Sequence, residues 1–122
     1  MEFVTLEVAM DIINRLPPVL TRIALRDRSL EDQAQRAAQS VAMNLAKGSR
    51  KLGKDRLNKW RIAAGSAAEL EVALKIAIAW GYVDTRRMEP LMLAVNRLLR
   101  LAWGLVRPRS GGAASRGRDR GT

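Results

Sequence analysis

The chain has 122 residues and contains no cysteine and no histidine. These absences exclude disulfide bonds, thiol nucleophiles, the usual zinc ligands and the commonest general base of enzymes. Aromatic residues make up only 4% of the chain, so the core must be built from Leu, Ile, Val and Ala, which favours helices over sheets. A composition without cysteine is compatible with a reducing cytoplasm, and we expect a cytoplasmic protein.

Long uninterrupted apolar runs are also absent. Glu69, Glu71 and Lys75 break up the most apolar stretch, and no basic segment precedes an apolar core near Met1. The sequence therefore predicts neither a membrane span nor a signal peptide. Without histidine or cysteine, no nucleophile or general base stands out in the sequence. We predict no catalytic residue, no metal site and no cofactor, and we do not expect an enzyme.

Positive charge, in contrast, is abundant. Twenty-two Lys and Arg residues against twelve Asp and Glu give a net charge of +10, which predicts attraction to polyanions. Seven basic residues crowd residues 47–61 around a single acid, Asp55, and give this segment a net charge of +6. They are Lys47, Arg50, Lys51, Lys54, Arg56, Lys59 and Arg61. We predict that they form a nucleic-acid-binding surface, although any one of them alone has the simpler interpretation of a solvated charge.

Apolar residues recur at spacings of three and four in four segments, which predicts four α-helices. In the first segment the apolar stripe consists of Phe3, Leu6, Met10 and Ile13. Pro17 and Pro18 predict a bend or break in this helix before it ends near Arg26. Short connections predict an antiparallel up-down-up-down four-helix bundle over residues 1–107. Residues 108–122 are rich in Gly, Ser and Arg without periodicity, and are predicted to form a disordered tail.

Helix ends are predicted from residues that commonly cap helices. Ser29 is expected to cap the second helix and Asp55 the third. Gly81 is expected to end the third helix in the left-handed conformation. Asp84 or Thr85 is expected to cap the fourth helix.

The third and fourth helices each carry two neighbouring apolar stripes. The first stripe of the third helix runs through Trp60, Ala63, Ala67, Leu70, Leu74, Ala77 and Gly81. The second runs through Ile62, Ser66, Glu69, Ala73, Ile76 and Trp80. The second stripe of the fourth helix contains Met92, Leu99, Trp103 and Val106. This apolar area exceeds what one bundle core buries, and an apolar remainder usually marks an interface. The alternative is a monomer with wide core faces.

Polar residues interrupt these stripes. Asn44, Ser66 and Glu69 lie among small residues, and a buried carboxylate there needs a donor such as Arg36. We therefore predict a structural hydrogen-bond network of Arg36, Asn44, Ser66 and Glu69 that fixes helix register. The alternative, Glu69 as a catalytic acid or metal ligand, lacks a second carboxylate at ligand spacing.

Three segments carry a resemblance to a known family: QAQRAAQSVAMNLAKGS at 33–49, AAGSAAEL at 63–70 and AWGYV at 79–83. In this combination they resemble the "four helix bundle protein" family, which includes proteins encoded in intervening sequences of bacterial large-subunit ribosomal RNA genes. They are also similar to the accessory variability determinant of diversity-generating retroelements. The match covers residues 28–83. Lys47 stands where the family usually has Glu, so a role of that glutamate is not carried over.

The resemblance implies a four-helix protomer in a barrel-shaped homopentamer, with a basic surface that in the retroelement branch binds a reverse transcriptase and nucleic acid. Together with the charge, it predicts a non-enzymatic oligomeric scaffold that binds RNA or an RNA–DNA hybrid beside a partner enzyme such as a reverse transcriptase. The alternative is an adaptor that docks an acidic partner protein and binds no nucleic acid.

Overall fold

The structure is a computed structural model that describes residues 1–108 as four α-helices. Helix α1 spans Glu2–Ala24, α2 spans Arg28–Ser49, α3 spans Gly53–Ala79 and α4 spans Thr85–Val106. Apart from Pro108, the predicted tail lies outside the described residues. None of the four helices is long and apolar enough to cross a membrane.

Each helix packs against its neighbours in the chain, and α1 also packs against α4, so the four helices surround one core. The α2–α3 contact is the most extensive. Both helices contribute small buried residues to the core, including Ala34 and Ala37 on α2 and Ala63 and Ala67 on α3. Because these side chains end at Cβ, they let the two helices approach closely. The predicted all-α, up-down arrangement is confirmed.

The buried face of α1 differs from the predicted one. Val8, Ile12 and Leu16 face the core, whereas Phe3 is 79% exposed and Met10 is 43% exposed. The two stripes lie side by side on the helix and are similarly apolar, so hydrophobicity alone does not decide which one faces inward. The predicted stripe of Phe3, Leu6, Met10 and Ile13, here called the α1 stripe, instead forms an exposed to half-buried flank.

The prolines do not break α1. The helix continues through Pro17 and Pro18 to Ala24, and both prolines are exposed. Leu16 and Ile23 are buried on either side of them, so the core contact continues across the prolines. Burial of two large aliphatic side chains, at about 1.5–3 kcal/mol each, offsets the backbone hydrogen bonds that the prolines cannot donate.

Two of the predicted caps are wrong. Asp27, not Ser29, caps α2: its backbone is extended and its carboxylate accepts a hydrogen bond from the Leu30 N–H at 2.9 Å. Helix α3 begins at Gly53 with Leu52 in the cap position, so Asp55 lies in the first turn and favours the helix through its charge. The Asp84 cap of α4 is confirmed, because its carboxylate accepts from the Arg87 N–H at 3.1 Å.

Helix α3 ends in a Schellman motif, and Gly81 has the left-handed conformation that was predicted for it. Gly81 has φ +76°, its N–H donates to the Ile78 carbonyl at 3.1 Å, and the Tyr82 N–H donates to the Ala77 carbonyl at 2.9 Å. The chain then turns inward, and Val83 is buried. This motif fixes the positions of the aromatic residues on either side of Gly81.

Candidate nucleic-acid interface

The connection between α2 and α3 is a short, closed turn of Arg50, Lys51 and Leu52. The Arg50 N–H donates to the Lys47 carbonyl and the Lys51 N–H to the Gly48 carbonyl, both at 3.1 Å. Leu52 at the tip is 79% exposed. The turn therefore projects from one end of the bundle, where the termini of α2 and α3 meet.

The basic side chains around this turn are accessible. Lys47, Arg50, Lys51, Lys54 and Arg61 are exposed and Lys59 is half-buried. Within residues 1–108 the ion pairs join Arg15 to Asp11, Arg36 to Asp32 and Lys75 to Glu71, so none involves these six residues. We call this set of six, Lys47, Arg50, Lys51, Lys54, Lys59 and Arg61, the basic turn.

Arg56 is the predicted interface residue that has a structural role instead. Its Nε donates to the Gly48 carbonyl at 3.1 Å and its Nη2 to the Ser49 carbonyl at 3.3 Å. These are among the last carbonyls of α2, which have no partner within the helix. The guanidinium also lies 5.2 Å from the centroid of the Trp60 ring. Arg56 therefore caps the C-terminal end of α2, with two of its nitrogens donating to backbone carbonyls.

Trp60 lies beneath this contact and is buried, as expected. Its ring packs against the backbone of Gly48, where a Cβ would come within 2.5 Å of Cδ1 of the ring. The indole Nε1 is buried without an acceptor among the described residues. Gly48 is thus required by close packing, and together with Arg56 and Trp60 it fixes the turn on the bundle.

The polar network between α2 and α3 has different members from those predicted. Ser40 and Ser66 share a hydrogen bond of 2.7 Å between their hydroxyls, and Asn44 Nδ2 donates to the Ser40 carbonyl at 2.9 Å. Ser40 is the member that the sequence did not reveal. Arg36 pairs instead with Asp32 at 2.8 Å. Glu69 is exposed, which corrects the expectation of a buried carboxylate: water solvates it, and it needs no partner.

A groove of about 660 Å³ lies between α2 and α3 on the outside of the bundle. Arg36 and Ser40 contribute to one wall, and Glu69, Val72 and Ile76 to the other. Val72 is 54% exposed, and Ile62 and Met43 are also exposed. We call this feature the α2/α3 groove. No cluster of three acidic side chains able to hold a metal ion occurs among residues 1–108.

The sequence pattern of a family described as 23S rRNA-intervening sequence protein matches residues 5–104 of the chain. The chain belongs to this family. The match extends over all four helices, whereas the resemblance recognised from sequence covered residues 28–83. No curated protein matches the chain.

A solved structure shares the fold. It is a protein of unknown function from the S23 ribosomal protein family of Bacteroides thetaiotaomicron, with a TM-score of 0.77 and 17% sequence identity. The alignment covers 85% of this chain and 99% of that chain. At this identity the likeness establishes the four-helix fold alone.

In this member of the intervening-sequence family, the structure brings six of the seven predicted interface residues to one end as accessible side chains. The seventh, Arg56, is at the same end but acts as a helix cap. One signal for its role was present in the sequence: an Arg four residues before a Trp lies on the same helix face, where the two can stack.

Proposed function

We propose that this protein is a non-enzymatic, homo-oligomeric scaffold that binds nucleic acid through the basic turn. The observation that carries the proposal is the concentration of six accessible, unpaired Lys and Arg side chains at one end of the described bundle. Such side chains neutralise phosphates and release the counterions condensed on nucleic acid. Arg56 supports this surface by holding the turn in place.

RNA, or an RNA–DNA hybrid, is the nucleic acid we favour. The family description refers to intervening sequences of 23S rRNA. The basic turn presents Lys and Arg without an exposed aromatic side chain, since Trp60 is buried. Phosphate contacts of this kind recognise shape and charge rather than base sequence. A partner enzyme such as a reverse transcriptase is the class of partner that the retroelement resemblance implies.

Two exposed apolar surfaces support self-association. The α1 stripe includes the exposed side chains of Phe3 and Met10, and the α2/α3 groove is a concave surface that includes Val72 and Ile76. Different surfaces on one protomer form a heterologous contact, which closes into a ring when the rotation permits. We propose that the α1 stripe of one copy packs against the α2/α3 groove of the next to form a homopentamer. Every copy then presents its basic turn in an equivalent position.

Fluorescence anisotropy with a labelled structured RNA and a labelled duplex DNA over a salt series tests the binding function. The variant is Arg50→Glu/Lys51→Glu, and the control is Arg97→Glu/Arg100→Glu, which makes the same charge change on the exposed side of α4. We expect the turn variant to lose binding near physiological salt and the control to lose much less. The chain cut after Arg107 should still bind.

If both double variants weaken binding equally, or if binding disappears with the residues after Arg107, the basic turn is not the nucleic-acid surface. The adaptor function then takes precedence. In that case an acidic partner protein should remain bound to the basic turn at moderate salt and should resist displacement by RNA.

A further inference from the structure

The end of the bundle opposite the basic turn carries an exposed aromatic side chain. The α1–α2 and α3–α4 connections meet there, and we call residues 22–28 and 80–87 the distal end. Trp80 is 67% exposed, the most of any aromatic residue after Phe3 within residues 1–108. Helix α3, with 27 residues, separates the two ends by roughly 40 Å at about 1.5 Å per residue.

The Trp80 ring is held in place. It packs edge-to-face on Tyr82, with ring centroids 6.0 Å apart and an interplanar angle of 80°. Tyr82 is half-buried, and the Arg26 guanidinium lies 5.5 Å from the centroid of its ring. The Schellman motif at Gly81 fixes the backbone between the two aromatic residues. These contacts restrict the Trp80 ring, so a ligand that stacks on it loses less side-chain entropy than it would on an unsupported tryptophan.

Positive charge is concentrated at the same end of the bundle. The distal end contains five arginines against two aspartates, which gives it a net charge of +3. The arginines are Arg22, Arg26, Arg28, Arg86 and Arg87, all exposed and none in an ion pair of the described bundle. Both aspartates, Asp27 and Asp84, accept hydrogen bonds from helix N-terminal N–H groups. Arg22 and Arg87 line one groove of about 240 Å³ beside Val83.

An exposed, fixed aromatic face among unpaired arginines fits an unpaired nucleotide. Bases within a duplex are stacked on each other and offer no free face, whereas a base in a single strand can stack on an aromatic ring while its phosphates meet arginines. We infer that the distal end binds single-stranded nucleic acid, with a base stacked on Trp80 and the neighbouring phosphates held by the distal arginines. This inference rests on the proposed function and adds a second, chemically different contact to it.

A second copy of the chain is the competing occupant of this surface. Two distal ends facing each other would bring five arginines of each copy together, and like charges at an interface are unfavourable. The apolar stripe and groove that we assign to self-association lie on the sides of the bundle and include different residues. The charge of the distal end therefore favours nucleic acid over a second protomer.

The test measures anisotropy with a labelled 12-nucleotide oligouridine and, separately, with a labelled 12-base-pair RNA duplex. The variant is Trp80→Ala, and the control is Trp103→Ala, which removes the partly exposed tryptophan of α4. Loss of a stacking aromatic should weaken oligouridine binding by about five-fold or more. Duplex affinity and the salt slope should stay unchanged, because stacking releases no counterions. Trp80→Phe should retain most of the oligouridine affinity.

The inference is overturned if Trp80→Ala and Trp103→Ala weaken oligouridine binding equally. It is also overturned if Trp80→Ala lowers the mass of the assembly in light scattering, since Trp80 is then a subunit contact. A different result contradicts the proposed function: duplex binding that is unchanged in Arg50→Glu/Lys51→Glu. Oligouridine binding that depends on Trp80 would still support the inference in that case.

Discussion

Gly48 lies second to last in α2, with its backbone against the edge of the Trp60 indole. Replacing it with alanine places a methyl group within 2.5 Å of Cδ1 of that ring. Trp60 is buried and Arg56 lies over its ring, so the indole has little room to move. We therefore expect Gly48→Ala to destabilise the protein even though alanine is the better helix former.

Two opposing free-energy contributions determine how far Gly48→Ala changes the stability of the protein. Inserting a methyl group into a packed site costs about 1–3 kcal/mol. Exchanging Gly for Ala inside a helix gains at most about 1 kcal/mol, and less near the end of the helix. We expect a net loss of about 1–2 kcal/mol in the free energy of unfolding. For a domain of about 100 residues this lowers Tm by about 4–8 °C for each kcal/mol.

Gly65→Ala is the matched control. Gly65 lies within α3, and a Cβ there would have no neighbour within 4 Å. This substitution should stabilise the protein by up to about 1 kcal/mol. Urea unfolding followed by circular dichroism gives both values, at one protein concentration because self-association would make stability depend on concentration.

If Gly48→Ala stabilises the protein as Gly65→Ala does, the Trp60 ring does not oppose a methyl group at position 48. Trp60→Leu supplies a further check, since a smaller side chain leaves space for the new methyl group. In the Trp60→Leu background, Gly48→Ala should cost less than in the parent, giving a coupling energy that only neighbouring residues show.

Three further predictions follow from other contacts. Asp27→Ala should lower the free energy of unfolding by about 1 kcal/mol through loss of the α2 cap, whereas Ser29→Ala should change it little. Comparison of the Tm values of the two variants in thermal unfolding tests this prediction. Arg56→Met should lower Tm and shift the emission of Trp60, and equal Tm values for the parent and this variant would disprove the cap. Arg56→Lys should restore only part of the stability, because a lysine cannot donate to both carbonyls as the guanidinium fork does. If copies of the chain associate as proposed, Val72→Glu should lower the mass measured by light scattering without lowering helicity, since this side chain is exposed in the protomer. An unchanged mass would exclude the α2/α3 groove from the proposed interface.

Much of the fold is local and periodic, and was therefore predictable. The first stripe of α3 is buried as predicted from Trp60 to Ala77, and only its last member, Gly81, is exposed. Its members up to Ala77 are all apolar, whereas the second stripe includes the charged Glu69. The turn at Gly81 was predictable because few residues other than glycine adopt a positive φ. The prediction that the α1 stripe faces the core was wrong because two neighbouring stripes of α1 are similarly apolar. Only packing against α2 and α4 selects Val8 and Ile12 over Phe3 and Met10.

The site was predictable in location but not in the roles of its residues. Charge density alone places the basic turn between α2 and α3. It does not separate Arg56, whose donors bind carbonyls at the end of α2, from Lys51, whose side chain is exposed. Likewise, Ser40 joins Ser66 only because α2 and α3 approach closely. These contacts join residues distant in sequence, and no spacing rule within one helix reports them.

The most direct test of the central claim is the salt dependence of binding to duplex DNA by the parent and by Lys51→Ala/Lys54→Ala. If both lysines contact phosphates, the slope of log affinity against log salt should become shallower by about 0.9 for each, or roughly 1.8 in total. An unchanged slope would contradict the account, because it would show that these side chains neutralise no phosphate and that the basic turn serves another purpose.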